Sequence, residues 1–166
     1  ILLALAEYFA IHGIEVEKQT VVLSHLLPGK GCLTGRVPTA REEADIRFGY
    51  RTAKEVAALN IGQSVVVKNG MVLAVEAMEG TDATILRGGQ LAGGGAVVVK
   101  VANPRQDLRF DIPVIGPSTV AAVIQSRAAV LAFEAAAAFL LEKEATIARA
   151  KAENISLVAV ADDFPN

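Results

Sequence analysis

The segment SVVVKNGMVLAV, residues 64–75, decides the fold class. Two apolar runs, Ser64–Lys68 and Met71–Val75, flank the dipeptide Asn69–Gly70. An Asn-Gly pair between two apolar runs is the strongest short-range signal for a β-hairpin, because a type I′ turn needs positive φ at both central residues. The segment therefore predicts two antiparallel strands within a sheet.

Helical and strand patterns alternate on both sides of this hairpin. Thr39 and Glu42 form a capping-box pattern at the start of a predicted helix over residues 40–59, and Ser118 or Thr119 is expected to cap another. The other predicted helices cover residues 2–10, 83–91 and 143–154, and the other predicted strands cover residues 14–22, 96–101, 107–112, 130–133, 139–141 and 155–161. This alternation predicts an α/β fold, with a mixed sheet and flanking helices, in a single domain over residues 1–166.

Composition narrows the class of protein further. The chain has 166 residues, of which 52% are hydrophobic, so one domain with a substantial core is expected. The net charge of −2 offers no basic field, so no nucleic-acid partner is expected. A single cysteine, Cys32, excludes an internal disulfide and fits a reducing compartment. The first residue is not Met and lies in a helix-like pattern, which predicts a fragment with a part missing upstream.

A first cluster of acidic residues follows the hairpin. Glu76, Glu79 and Asp82 lie close together in the sequence, just before a predicted helix. Carboxylates at such spacing repel one another unless a positive charge lies among them, and oxygen ligands suit Mg²⁺ or Mn²⁺. The alternative is that Thr81 or Asp82 caps the helix and that the glutamates are solvated.

A second cluster combines acids and bases. In a strand over residues 107–112, alternation would place Asp107, Arg109 and Asp111 on one face, with Lys100 at the end of the preceding strand. A carboxylate can activate water or bind a metal, and an arginine can hold a phosphate through two hydrogen bonds. The alternative is an edge strand whose alternating charges prevent aggregation.

A third group gives a weaker signal. Asp45, Arg47 and Gly49 lie on the predicted helix over residues 40–59, and Gln63–Ser64 precede the hairpin. A solvated helix face is the favoured interpretation of Asp45 and Arg47.

Six short runs in two regions of the sequence, residues 62–82 and 104–120, resemble a known family. The runs are GQSVVV (62–67), VLAVEA (72–77) and EGTD (79–82), followed by PRQDLRFDIP (104–113), IGP (115–117) and TV (119–120). They are similar to the C-terminal domain of the bacterial LpxI-type UDP-2,3-diacylglucosamine hydrolases. One departure is Asn103, which stands where the family commonly has a lysine before the proline of its motif.

The resemblance implies an activity and its setting. It implies metal-dependent hydrolysis of the pyrophosphate bond of UDP-2,3-diacylglucosamine, with Mg²⁺ or Mn²⁺, to give UMP and 2,3-diacylglucosamine 1-phosphate (lipid X) in lipid A biosynthesis. It further implies a catalytic domain that works with a separate N-terminal domain, a cytoplasmic location near the inner membrane with peripheral membrane contact, and a homo-oligomer as one possible assembly.

The resemblance also implies roles for individual residues. The expected catalytic residues are Asp107, Arg109 and Asp111, and the expected metal ligands are Glu79, Asp82 and Asp107. The expected substrate-binding residues are Gln63, Ser64, Thr81, Lys100 and Gln106. Two rival interpretations stay open: a noncatalytic sugar-nucleotide or metal-binding module of the same fold, and a hydrolase for a different nucleotide diphosphate.

Overall fold

A six-stranded mixed sheet forms the centre of the computed structural model, which describes residues 2–164. Its strands, in the order β1-β8-β6-β4-β2-β3, are β1 (Gly31–Cys32), β8 (Ser156–Val160), β6 (Val130–Glu134), β4 (Val97–Lys100), β2 (Ser64–Lys68) and β3 (Met71–Val75). Two further short strands, β5 (Val114–Ile115) and β7 (Phe139–Leu140), pair in parallel. The predicted α/β fold with a mixed sheet is confirmed.

Six α-helices accompany the strands. They are α1 (Leu2–Ile11), α2 (Gln19–Val22), α3 (Ala40–Ala58), α4 (Thr81–Ala92), α5 (Pro117–Gln125) and α6 (Lys143–Ala152), all within residues 2–164. The capping box at the start of α3 is confirmed, because the Thr39 hydroxyl accepts from Glu42 N and the Glu42 carboxylate accepts from Thr39 N. No helix in the described part of the chain is both long and apolar enough to cross a membrane.

The predicted hairpin between β2 and β3 is confirmed. Asn69 and Gly70 have φ of 54° and 72°, the positive values that a type I′ turn requires. Asp45 on α3 is buried, and its carboxylate accepts hydrogen bonds from Asn69 N (2.8 Å) and Gly70 N (2.6 Å). The interpretation of Asp45 as part of a solvated helix face is therefore wrong: its charge fixes the hairpin turn to α3.

Helices cover both faces of the sheet. On one face, α3 packs Ile46, Tyr50 and Ala53 against fully buried valines of β2 and β4. On the other face, α4, α5 and α6 contribute to a second core with Val66, Val98, Leu131 and Leu157. The contact of α4 with β2 is very close, since a Cβ built on Gly88 would lie 2.5 Å from Val66 Cβ.

The parallel part of the sheet places several polar residues at one edge. β4, β6 and β8 run parallel, so Lys100, Glu134 and Val160 end at the same edge, which we call the carboxyl edge. Antiparallel β2 begins at this edge with Ser64, opposite Lys100. The carboxyl ends of parallel strands are the usual place for ligand sites in α/β proteins.

Three sequence predictions about elements are wrong. Residues 14–22 form no strand and instead contain the one-turn helix α2. Residues 107–112 form turns instead of a strand, because Asp107 O accepts from Phe110 N (3.0 Å) and Asp111 N (3.2 Å). The edge-strand alternative for that segment fails for the same reason. Finally, Gly116 is the N-cap of α5, so Ser118 and Thr119 lie within its first turn.

Candidate active site

Lys100, the last residue of β4, lies at the centre of the polar residues at the carboxyl edge. Its Nζ donates hydrogen bonds to Thr81 Oγ1 (3.0 Å) and to Val114 O (3.3 Å). Burial lowers the pKa of Lys100, and the negative charges of Glu76, Asp82 and Asp111 oppose that shift. A partly desolvated ammonium is a stronger partner for an anion than a solvated one.

Two helices begin beside Lys100. α4 starts after Gly80 and α5 starts after Gly116, and neither glycine has a side chain that could cap the first backbone amides. Such amides and the helix dipole favour bound anions. A cavity of about 360 Å³, which we call the Lys100 cavity, is lined by Glu79, Gly80, Thr81, Asp82, Ala83, Lys100 and Thr119. Its lining therefore combines two helix N-termini with one ammonium and two carboxylates, those of Glu79 and Asp82.

A hydrogen-bonded cluster supports this cavity from the β2–β3 side. The Thr81 hydroxyl donates to Glu76 Oε1 (2.8 Å), and Gln63 N donates to Glu76 Oε2 (3.3 Å). Ser64 faces Lys100 across β2 and β4, and residues directly opposite in an antiparallel pair share a face. Ser64 Oγ is fully buried and has no hydrogen-bond partner among residues 2–164. Such an unsatisfied hydroxyl is costly, but Ser64 is outside the lining of the Lys100 cavity, so its role in substrate binding stays a prediction.

Asp107 and Arg109 form an ion pair on the turn that follows Gln106. Arg109 Nε and Nη2 lie 2.9 Å and 2.7 Å from the Asp107 carboxylate oxygens. The hydrogen bonds from Arg109 lower the pKa of Asp107 to about 2, and the same contact raises the pKa of Arg109. Both side chains are about one-third exposed, so this turn, which we call the Asp107 turn, can contact a ligand.

The structure brings together only part of the predicted site. Lys100, Thr81, Glu79 and Asp82 line the Lys100 cavity, with Gln63 and Ser64 beside it. Asp107 and Arg109 lie on their own turn, outside the lining of the cavity. Asp111 is exposed and acts on Lys100 electrostatically. Gln106 Oε1 accepts from Asn103 N (3.0 Å), and its buried Nε2 has no partner in the described part of the chain.

The three predicted metal ligands do not form one cluster. Glu79 pairs with Arg87 (2.6 Å), which lowers the pKa of Glu79, and Asp107 pairs with Arg109. Across residues 2–164, no group of three His, Cys, Asp or Glu side chains is placed to bind a metal ion. Mg²⁺ commonly takes one or two carboxylates together with substrate phosphates, and Glu79 and Asp82 are the two carboxylates in the lining of the Lys100 cavity. The metal ligands stay a prediction.

Sequence reasoning missed Gln19, which holds the Asp107 turn. Gln19 N donates to Leu108 O (3.0 Å), and Gln19 Nε2 donates to Arg109 O (3.0 Å). It also missed Thr119, a buried residue in the first turn of α5 that lines the Lys100 cavity. No local pattern marks Gln19, because its partners lie about 90 positions away along the chain.

Residues 29–158 match the family described as the LpxI C-terminal domain. The chain belongs to this family. The matched range contains the Lys100 cavity and the Asp107 turn, whereas α1, α2 and Gln19 precede it. The resemblance to LpxI seen in the sequence is thereby confirmed.

One relative gives a further comparison with LpxI proteins. Over 150 residues the chain is 35% identical to the UDP-2,3-diacylglucosamine pyrophosphatase LpxI of Caulobacter vibrioides. The aligned part covers 86% of this chain and 54% of that protein. The chain therefore spans about half the length of the curated LpxI relative that it matches.

Proposed function

We propose that this chain is the catalytic domain of an enzyme that hydrolyses the pyrophosphate bond of UDP-2,3-diacylglucosamine, in lipid A biosynthesis. The products would be UMP and 2,3-diacylglucosamine 1-phosphate, lipid X. The observation that carries the proposal is the Lys100 cavity, where two uncapped helix N-termini and one partly buried ammonium meet. The relative from Caulobacter vibrioides, named a UDP-2,3-diacylglucosamine pyrophosphatase, supports the choice of substrate.

In this proposal, the Lys100 cavity binds the phosphates. The first amides of α4 and the amides of Ser118 and Thr119 in α5 donate to phosphate oxygens, and Lys100 adds a positive charge; Pro117, the first residue of α5, has no N–H to donate. Water attacks one phosphorus, a new P–O bond forms, the bridging P–O bond breaks, and the proton of the water passes to solvent or to a phosphate oxygen. Preorganised donors stabilise the charge that grows on the leaving oxygen.

The Asp107 turn would contribute the remaining charges. With its pKa near 2, Asp107 is ionised at neutral pH, so it can orient the attacking water through a charge-assisted hydrogen bond. Arg109 keeps further N–H groups in its planar guanidinium that can donate to a phosphate. We propose that substrate binding brings this turn and the Lys100 cavity to the same pyrophosphate.

We further propose that the reaction requires Mg²⁺ or Mn²⁺, held by Asp82 and Glu79 together with substrate phosphates. Three carboxylates, those of Glu76, Asp82 and Asp111, act on the single ammonium of Lys100. An incoming pyrophosphate adds more negative charge, which a bound divalent cation would neutralise. The residues of this chain would position that cation and the phosphates around Lys100.

The substrate also suggests where the enzyme works. Its two acyl chains and its charged UDP group favour a position at the surface of a membrane, so we propose peripheral contact with the cytoplasmic face of the inner membrane. An assembly of several copies, and a separate N-terminal domain, belong to the same proposal.

The test uses the full-length protein and UDP-2,3-diacylglucosamine, with release of UMP as the readout. Lys100→Met should lower kcat/KM by about 10²-fold or more, the usual effect of losing one stabilising charge. Lys143→Met, at an exposed position in α6, is the matched control and should retain the wild-type rate. Equal rates for both variants would contradict the role of the Lys100 cavity.

Two further measurements test the finer parts of the proposal. Chelation with EDTA should stop UMP release, and added Mg²⁺ or Mn²⁺ should restore it; full activity in EDTA would contradict the metal requirement. A panel of other UDP-sugars and nucleotide diphosphates should react more slowly than the diacylated substrate. Absence of UMP release from every substrate would favour a noncatalytic module.

A further inference from the structure

A partly buried ion pair holds one residue at the start of the segment that carries the Asp107 turn. Glu134, the last residue of β6, accepts from Ala102 N at 2.8 Å and from Lys54 Nζ at 3.0 Å and 3.1 Å. Lys54, on α3, also donates to Ala102 O at 3.1 Å. The side chains of Lys54 and Glu134 are only 26% and 16% exposed. Both peptide groups of Ala102 are therefore fixed by one ion pair.

Ala102 lies at a position from which it can control the rest of the segment. It is the second residue after β4. It belongs to the segment of residues 101–113, which joins β4 to β5 and contains no strand or helix. The segment carries Gln106, Asp107, Arg109 and Asp111, which are the expected substrate and catalytic residues. Without a strand ladder, its direction depends on individual contacts, those of Ala102 at its start and those of Gln19 at the Asp107 turn.

Stability alone does not account for an ion pair here. A buried pair loses about as much hydration energy as it gains from attraction, so replacing it with apolar residues is often neutral. The pair instead fixes the position of the Ala102 backbone, because the carboxylate accepts from its N–H and the ammonium donates to its carbonyl oxygen. Tyr50 completes the arrangement, since its hydroxyl donates to Glu134 Oε1 (3.1 Å) and leaves Glu134 fewer free lone pairs.

We propose that Glu134 is a positioning residue for hydrolysis, acting with Lys54 through Ala102 on the Asp107 turn. The role rests on the proposed function, because the Asp107 turn matters only if it takes part in the reaction. A shift of about 1 Å in a catalytic group can lower a rate by roughly 10²-fold, so loss of this contact should reduce turnover. The loss should fall more on kcat than on KM, because Glu134 lies outside the lining of the Lys100 cavity and the phosphate contacts proposed for that cavity stay in place.

The experiment compares Glu134→Gln with Tyr50→Phe in the full-length protein. In either orientation the glutamine amide sets one NH₂ donor against Lys54 Nζ and carries no charge to pair with it, so the lysine contact that also holds Ala102 O is weakened. Tyr50→Phe removes one hydrogen bond from the same cluster but leaves the Lys54 and Ala102 contacts in place. The readouts are kcat and KM for UMP release, and amide hydrogen exchange in residues 101–113.

We expect Glu134→Gln to lower kcat about tenfold or more with a smaller change in KM, and to speed exchange in residues 101–113. Tyr50→Phe should leave both readouts near wild type. If Glu134→Gln does not fold, Lys54→Gln removes the contact to Ala102 O and should give the same two changes.

The outcomes separate this proposal from the proposed function. Unchanged exchange in Glu134→Gln overturns the positioning role, as does faster exchange with an unchanged kcat. Equal losses of kcat in both variants also overturn it, because they would reflect the cluster's stability instead. A wild-type protein that releases no UMP overturns the proposed function, and with it the catalytic part of this role, while exchange still tests the contact with Ala102.

Discussion

The ion pair between Asp107 and Arg109 determines what each side chain can do alone. Because Arg109 lowers the pKa of Asp107 to about 2, the carboxylate stays ionised as the pH falls through 4, where a free aspartate would begin to protonate. Asp107 is therefore a weak proton acceptor at neutral pH. Its charge and its fixed orientation suit the positioning of water better than full removal of a proton.

Replacement of Asp107 tests this role at the scale of one residue. We expect Asp107→Ala to lower turnover in the full-length protein by at least about 10²-fold, the usual scale for loss of an acid–base or electrostatic group. The fold should survive, because the side chain is about one-third exposed and contributes little packing. UMP release gives the rate and circular dichroism checks folding. A folded variant with the wild-type rate would instead direct attention to Glu79 and Asp82.

The pH dependence of substrate binding should report on Lys100. Burial lowers its pKa, so Lys100 loses its proton at a lower pH than a free lysine, whose pKa is about 10.4. As the pH rises through the lowered pKa, the positive charge disappears and KM should increase. Lys100→Arg should lack this alkaline change, because arginine stays protonated. The same alkaline change in both proteins would mean that another group causes it.

Sequence patterns predicted which residues lie in the candidate site better than they predicted the hydrogen-bond partners that hold those residues in place. Lys100 and Asp82 were singled out by residue type and position, and Thr81 by the family resemblance; all three line one cavity. Gln19 and Glu134 were not found, because their contacts join residues 90 and 32 positions apart. Such contacts depend on how α2 and β6 are placed in the fold, which no local pattern records.

At the scale of elements, the hairpin between β2 and β3 depends on its turn and on Asp45. The Asp45 carboxylate accepts from both turn amides, so α3 and the hairpin fix one another. The turn was predictable because Asn-Gly is a local signal. The Asp107 turn was not, because its alternating charges also fit a strand; hydrogen bonds from Arg109 to the Asp107 side chain favour the turn instead.

Replacement of Gly70 tests the hairpin. Gly70→Val should lower the free energy of unfolding by about 1 kcal/mol or more, since a β-branched residue resists the φ of 72° found there. A Cβ at Gly70 would meet no atom within 4 Å, so the loss would come from the backbone alone. Gly29→Val is the matched control, because Gly29 is also exposed with open space around it but has no positive φ. Denaturant midpoints measure both, and equal values would contradict the turn's role.

At the scale of the whole molecule, helix α1, which precedes the LpxI match, packs only loosely against the rest of the chain. α1 buries only Ala6 among its residues, while Leu2, Leu3, Tyr8 and Ile11 are each more than half exposed. Clustered exposed apolar side chains commonly mark a contact surface. The Lys100 cavity lies open to solvent at the carboxyl edge. One side of a substrate bound there would therefore face away from this chain.

These features predict how residues 1–166 behave alone. We expect the isolated chain to fold, because its sheet is covered by helices on both faces and contains two well-buried cores. We also expect it to release UMP at no more than about 1% of the full-length rate, because an open cavity neither excludes water nor fixes the whole substrate. Circular dichroism and cooperative thermal unfolding test the first expectation, and UMP release at equal enzyme concentration tests the second. Full activity of residues 1–166 would mean that the Lys100 cavity and the Asp107 turn form a complete active site by themselves.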